Sequence, residues 1–165
     1  MRLRRVLRHL LMPSWRVDRV FTPAVMTAIE QAVRASEARH RGEIRFAVEG
    51  GLDFPLLRHD VDTRQRAVEV FSQLRVWDTE ENTGVLIYVQ WVDRRVEIVA
   101  DRGIARRVPQ AAWEAVCRQL EAAFREGRYG PGAVAAVIAV GDLLAGPFPA
   151  GPGNPDELPD RPVRL

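Results

Sequence analysis

Five consecutive apolar residues, Val85-Leu86-Ile87-Tyr88-Val89, constrain the fold of this chain more than any other segment. Side chains alternate across a strand, so a strand without a polar face needs cover on both sides. Past Asp93, Val96, Ile98 and Val99 mark another strand, and the short polar connection makes the two a hairpin. Upstream, Glu43 to Glu49 alternates, with Ile44, Phe46 and Val48 on one face. Between these strands Ala67, Val68, Phe71 and Leu74 define a helix, capped near Asp60 or Asp62. A strand–helix–strand unit in one sheet runs parallel with a right-handed crossover. The sequence therefore predicts Val85–Val89 as the central strand, parallel to Ile44–Val48 and antiparallel to Val96–Val99.

Helices account for most of the remainder. Thr22-Pro23 reads as an N-cap followed by proline at the first helical position, and Val25, Ala28, Ile29, Ala32 and Val33 form its apolar stripe up to Gly42. Trp113, Val116, Leu120 and Phe124 stripe another helix, closed by Gly127. Ala133 to Leu144, after the break at Gly130-Pro131-Gly132, has the length and alanine content of a buried helix. Leu52 to Thr63 has no clear pattern. The order of elements is that of an α/β fold. The chain divides into a basic N-terminal segment (1–19), a folded domain (20–148) and a Pro/Gly-rich tail (149–165). That tail is expected to lie on the surface, with no core of its own and little effect on stability.

Arginine supplies all 24 cationic residues, against 22 acids, and the arginines are spread over every segment, as codon bias would spread them. No basic stripe is interleaved with exposed aromatics, so no nucleic-acid partner is expected. Cys117 is alone, which excludes an internal disulfide and a cysteine metal cluster. The apolar residues of Met1–Met12 are interrupted and lack the pattern of a secretory signal. A soluble, cytoplasmic monomer is the expectation. Leu3, Val6, Leu7, Leu10 and Leu11 do stand at helical spacing beside Arg2, Arg4, Arg5 and Arg8. Docking of this helix on the protein's own core is expected in preference to contact with a membrane surface.

The strand directions gather acidic residues at both ends of the sheet. Asp78, Glu80, Glu81, Asn82 and Asp101 come to one end and supply the hard oxygen ligands that calcium and magnesium take. Asp78, Glu81 and Asp101 are the expected metal ligands; Glu49, Asp53 and Asp93 form a competing group at the other end. Neutralisation of the first group by Arg75, Arg102 and Arg106 is the plainer alternative. Asp60-Val61-Asp62-Thr63 does not follow an apolar strand, so helix capping explains it better than a phosphatase nucleophile. Cys117 sits inside a helix beside its apolar stripe and reads as core. His9, His40 and His59 lack metal-ligand spacing, and His40 beside Arg39 and Arg41 reads as a solvated helix end.

Several stretches, in this order, resemble the TPM domain family, the domain shared by a thylakoid lumen protein, a photosystem II repair factor and a nematode receptor-accessory protein. They are His40-Arg41-Gly42-Glu43, Asn82-Thr83-Gly84-Val85-Leu86-Ile87-Tyr88-Val89, and Glu97-Ile98-Val99-Ala100-Asp101-Arg102-Gly103-Ile104. Trp113, Phe124-Arg125-Glu126-Gly127 and Gly130 to Gly132 follow. The likeness covers roughly residues 20 to 148 and points to the short, stand-alone bacterial branch. It implies a three-layer α/β/α sandwich, a small mixed sheet covered by helices. Members of that family are linked to acid phosphatase activity, to divalent cation binding and to assembly or repair of membrane complexes. The expectation for this chain is an accessory or binding domain for an unidentified protein partner, organised by a divalent cation (calcium or magnesium) and without an organic cofactor. The alternative is a metal-dependent, acid-phosphatase-like phosphomonoester hydrolase in which the carboxylates hold the metal and Arg102 or Arg106 contacts the phosphate.

Overall fold

A computed structural model describes residues 3–165; Arg2, first of the N-terminal arginines, lies outside them. In chain order the elements are α1 (Leu3–Leu10), α2 (Trp15–Val20), α3 (Pro23–Glu37), β1 (Glu43–Glu49), α4 (Phe54–Arg58), α5 (Thr63–Gln73), β2 (Gly84–Gln90), β3 (Arg95–Ala100), α6 (Arg102–Ala105), α7 (Gln110–Arg125), α8 (Tyr129–Ala145) and β4 (Val163–Arg164). The sheet order is β3-β2-β1-β4. β1 runs parallel to β2, with Glu43 opposite Gly84 and Glu49 opposite Gln90. β2 runs antiparallel to β3, Val85 facing Ala100. The expected central strand and both strand directions hold.

One face of the sheet presents Ile44, Phe46, Val48, Val85, Ile87 and Val89 to α3, α7 and α8. The other presents Ala47, Leu86, Tyr88 and Val99 to α5, where Ala67, Val70 and Phe71 are buried. These are the three layers. Caps fix the helix starts: the Thr22 hydroxyl accepts from Val25 N–H, and Asp62 forms a reciprocal capping box with Gln65. No helix among the described residues is long and apolar enough to cross a membrane.

The expectation for the tail fails, and α1 docks on the protein as expected but not through its leucines. Residues 149–165 are not a loose tail: β4 pairs in parallel with β1, and Leu158 enters the core cluster around Tyr88. Pro and Gly content misleads here because the tail adds to a sheet instead of forming a core. In α1 the inward face is made of Val6 and His9, whereas Leu3, Leu7, Leu10 and Leu11 are exposed. Val6 packs against Leu52 and Leu57, and polar groups complete the attachment. Arg5 donates to Asp93 at 2.8 and 3.0 Å, His9 Nε2 meets Asp93 at 3.1 Å, and His9 Nδ1 accepts from Leu52 N–H at 3.0 Å.

Candidate functional site

At the amino end of β1 the sequence leads α3 straight into the strand, bringing Glu37 and Glu43 together beside the returning tail. Among the described residues, one set of three carboxylates, Glu37, Asp156 and Asp160, places a ligand oxygen of each within 4.8 Å of the others. A cleft of about 240 Å³ opens over them and is also bounded by Glu43 and Asn154. The Asn154 amide donates to the carbonyls of Glu37 and His40, each at 3.1 Å, and pins the tail over the cleft. Glu37 accepts from Ile44 N–H at 2.6 Å, and Glu43 accepts from the N–H groups of Glu157 and Leu158. Arg34 donates to Asp160 Oδ2 at 3.0 Å, but Asp160 Oδ1 is buried without a hydrogen-bond partner. A buried carboxylate oxygen with no donor is costly unless a proton or a cation meets it.

Crowding acts on the protons of these groups. Burial pushes the Glu37 carboxyl up to about 10 against the Ile44 hydrogen bond, with Glu43 and Asp160 adding to the rise. Burial also lifts Glu43 to about 7, helped by Asp156 and Glu157 and opposed by the Leu158 and Glu157 N–H groups. From pH 7 to 8.5 the folded chain therefore keeps the Glu37 proton that the unfolded chain has lost. Stability then falls as pH rises, by up to about 1.4 kcal/mol per pH unit. His40, which burial lowers to about 4, works in the opposite direction but only below its ordinary range near 6.5. Denaturant unfolding at the two pH values should show a loss of about 2 kcal/mol that Glu37→Gln removes. An equal loss in both chains would show that Glu37 is not its source.

The sequence-chosen ligands are placed differently. Asp101 caps α6, its Oδ1 accepting from Arg102 N–H at 2.7 Å, while its Oδ2 is buried and unpartnered. Glu81 is paired with Arg41 at 2.5 Å, and Asp78 is exposed in the turn before β2. Gly103 packs here because a Cβ would come 2.5 Å from the Asn82 carbonyl oxygen and 2.7 Å from that of Glu81. Strand direction brings these residues to one end of the sheet, but they do not form a three-carboxylate cluster like that of Glu37, Asp156 and Asp160. Arg102 donates to Asn82 Oδ1 at 3.1 Å.

Arginines occupy the competing group at the other end. Glu49 takes a bidentate contact from Arg66 at 2.7 and 3.0 Å and the hydroxyl of Tyr88. Asp93 is held by Arg5 and His9; burial raises its carboxyl, but their hydrogen bonds win and hold it well below the usual carboxylate range. Asp53 is exposed at the start of α4. His40, read as a solvated helix end, is fully buried: Nδ1 accepts from Gly42 N–H, so Nε2 carries the proton toward Ser36 Oγ at 2.9 Å. Sequence reasoning missed Glu37, Asp156 and Asp160. The available signal was the pair Asp156 and Asp160 in a segment otherwise rich in Pro and Gly, but it becomes informative only once the tail is known to dock.

Comparison with known proteins agrees with this architecture. The family model described as the TPM domain matches residues 17–143. A search of curated protein sequences gives no match. The NMR structure of the BA42 protein from the psychrophilic bacterium Bizionia argentinensis is similar with a TM-score of 0.77 and 30% sequence identity, over 87% of this chain and 94% of that one. Asp156 and Asp160 lie beyond the residues matched by the family model, whereas Asp78, Glu81 and Asp101 lie within them. The chain belongs to the TPM domain family.

Proposed function

We propose that the chain is an accessory, binding domain organised by a divalent cation, calcium or magnesium, and that Glu37, Asp156 and Asp160 are its principal ligands. The observation that carries this reading is a group of three mutually close carboxylates in which no N–H group reaches the buried Oδ1 of Asp160 and the Glu37 proton is shared toward Asp160. Hard carboxylate oxygens are the donors these cations take. A cation would displace the Glu37 proton, so binding should release protons and tighten as pH rises. Binding is favoured over hydrolysis because the nucleophile candidates are engaged elsewhere. Asp62 caps α5, and burial pushes the Cys117 thiol up to about 12.

Titration with calcium or magnesium should raise the melting temperature by mass action, and a hundredfold excess over Kd adds about 2.7 kcal/mol. Asp160→Asn should weaken that rise while keeping nearly the same shape. Backbone NMR should place the shifts at 37–43 and 154–161. Shifts confined to 78–82 and 101–103 would move the ion to the loop beside Asp101, and no shift anywhere would overturn cation binding.

A further inference from the structure

A second concavity lies at the carboxyl end of β2, about 20 Å from the acidic cleft along a seven-residue strand. It is a groove of about 600 Å³ between α2, the β2–β3 hairpin and the junction of α7 with α8. Five arginines line it: Arg16, Arg19, Arg94, Arg95 and Arg125. Its one acidic residue, Glu121, already accepts from Val96 N–H at 3.0 Å and lies 3.8 Å from Arg95. Among the described residues, no ion-pair partner lies within 4.0 Å of Arg16, Arg19, Arg94 or Arg125. Like charges focused in a groove attract anions, and guanidinium groups suit phosphate oxygens.

The floor of the groove is aromatic. Trp91 and Tyr129 have ring centroids 5.2 Å apart, and Phe124 lies 5.4 Å from Tyr129. Trp15 stands at the rim, half exposed, with the Arg19 and Arg16 guanidinium groups 4.9 and 5.6 Å from its ring centroid. Aromatic rings and guanidinium groups without a carboxylate partner are thus side by side, two of those groups resting over the Trp15 ring. It lies at the carboxyl end of β2, beside the turn into β3. The volume is that of a small-molecule site. The sequence shows no basic stripe interleaved with aromatics because three separate segments supply this one.

We propose that this groove binds a nucleotide-sized aromatic anion, its ring displacing the Arg19 guanidinium from over Trp15 and its phosphates held by Arg19, Arg94 and Arg125. Neither the acidic cleft nor its cation takes part.

The test is equilibrium binding of ATP, adenosine and inorganic triphosphate to the full chain in EDTA, followed by tryptophan fluorescence and by calorimetry. ATP should bind at least about tenfold more tightly than either fragment, since stacking and charge each contribute on that scale. Trp15→Ala should remove about tenfold of that affinity, and Arg19→Ala with Arg125→Ala should remove more. These side chains are exposed, so melting temperatures should stay near that of the unsubstituted chain. Inorganic triphosphate binding as tightly as ATP would overturn the stacking role. Unchanged ATP affinity in the double arginine variant would overturn the site. A single-stranded oligonucleotide binding a hundredfold more tightly than ATP would replace the nucleotide with a strand and overturn the proposal as stated.

Discussion

A chain ending at Ala150 will unfold about 3–5 kcal/mol more easily than the full chain, in contrast to the small effect that its Pro/Gly-rich composition suggests. Removal withdraws Leu158 from the cluster with Ala47, Leu86 and Tyr88, which alone is worth about 2 kcal/mol. It also breaks the pairing of Ala47 with Val163 and of Val48 with Arg164. Arg45, which donates to the carbonyls of Pro159 and Arg161, and Glu43, which accepts from Glu157 and Leu158, lose their partners. Water then reaches both, so their loss adds less than the apolar term. Denaturant unfolding of the truncated and full chains measures the difference, and Leu158→Ala should recover about half of it. A truncated chain within about 0.5 kcal/mol of the full one would refute the docked tail, since that is the range of an ordinary surface change.

Arg66→Ala will be of similar size, about 3–5 kcal/mol, by a different cause. Glu49 is buried on the α5 side of the sheet with a side-chain exposure of 7%, and Arg66 is its counter-charge. The Tyr88 hydroxyl also donates to this carboxylate, and burial together with the Glu49 charge raises the pKa of Tyr88. Taking the guanidinium away leaves a carboxylate in a low-dielectric site with one neutral donor. Replacing both charges, Glu49→Leu with Arg66→Met, should cost much less than Arg66→Ala, because no buried charge is then left unpaired; Glu69, the other partner of Arg66 at 3.0 Å, is exposed to water. A double-mutant cycle by chemical denaturation separates the outcomes. Equal losses for the single and double changes would mean that packing, not charge pairing, sets the value.

These two cases show which parts of the chain were legible in the sequence. The Val85–Val89 strand, the hairpin, the parallel crossover and the Thr22 cap each depend on local chemistry or on chain handedness, and each was readable. The charges of β1 were not. Glu43, Arg45 and Glu49 alternate with Ile44, Phe46 and Val48 in the way a solvated strand face does, yet all are buried. Their cover comes from α5 and from a tail more than a hundred residues away, and neither is encoded in the strand. The same non-local contact hides Asp156 and Asp160 from a reading of the sequence. Asp78, Glu81 and Asp101 were placed at the correct end of the sheet, but topology fixes a backbone position without fixing where a side chain points. The arginine and aromatic groove was missed for the converse reason, since its members are unremarkable in each of their own segments.

The two-residue strand β4 also decides what the sheet offers to other chains. Without it, β1 would end the sheet, with the backbone groups of Ala47 and Val48 left unpaired. Such an edge is a template for intermolecular pairing. The stretch Gly151–Gly153 that leads to β4 is exposed and holds no regular structure, which is the kind of site proteases nick. A single cut there would free the strand's pairing groups while leaving most of the folded layers in place. The clipped protein should therefore be lost to aggregation at temperatures well below those at which its remaining layers melt, and light scattering will register the change before circular dichroism does.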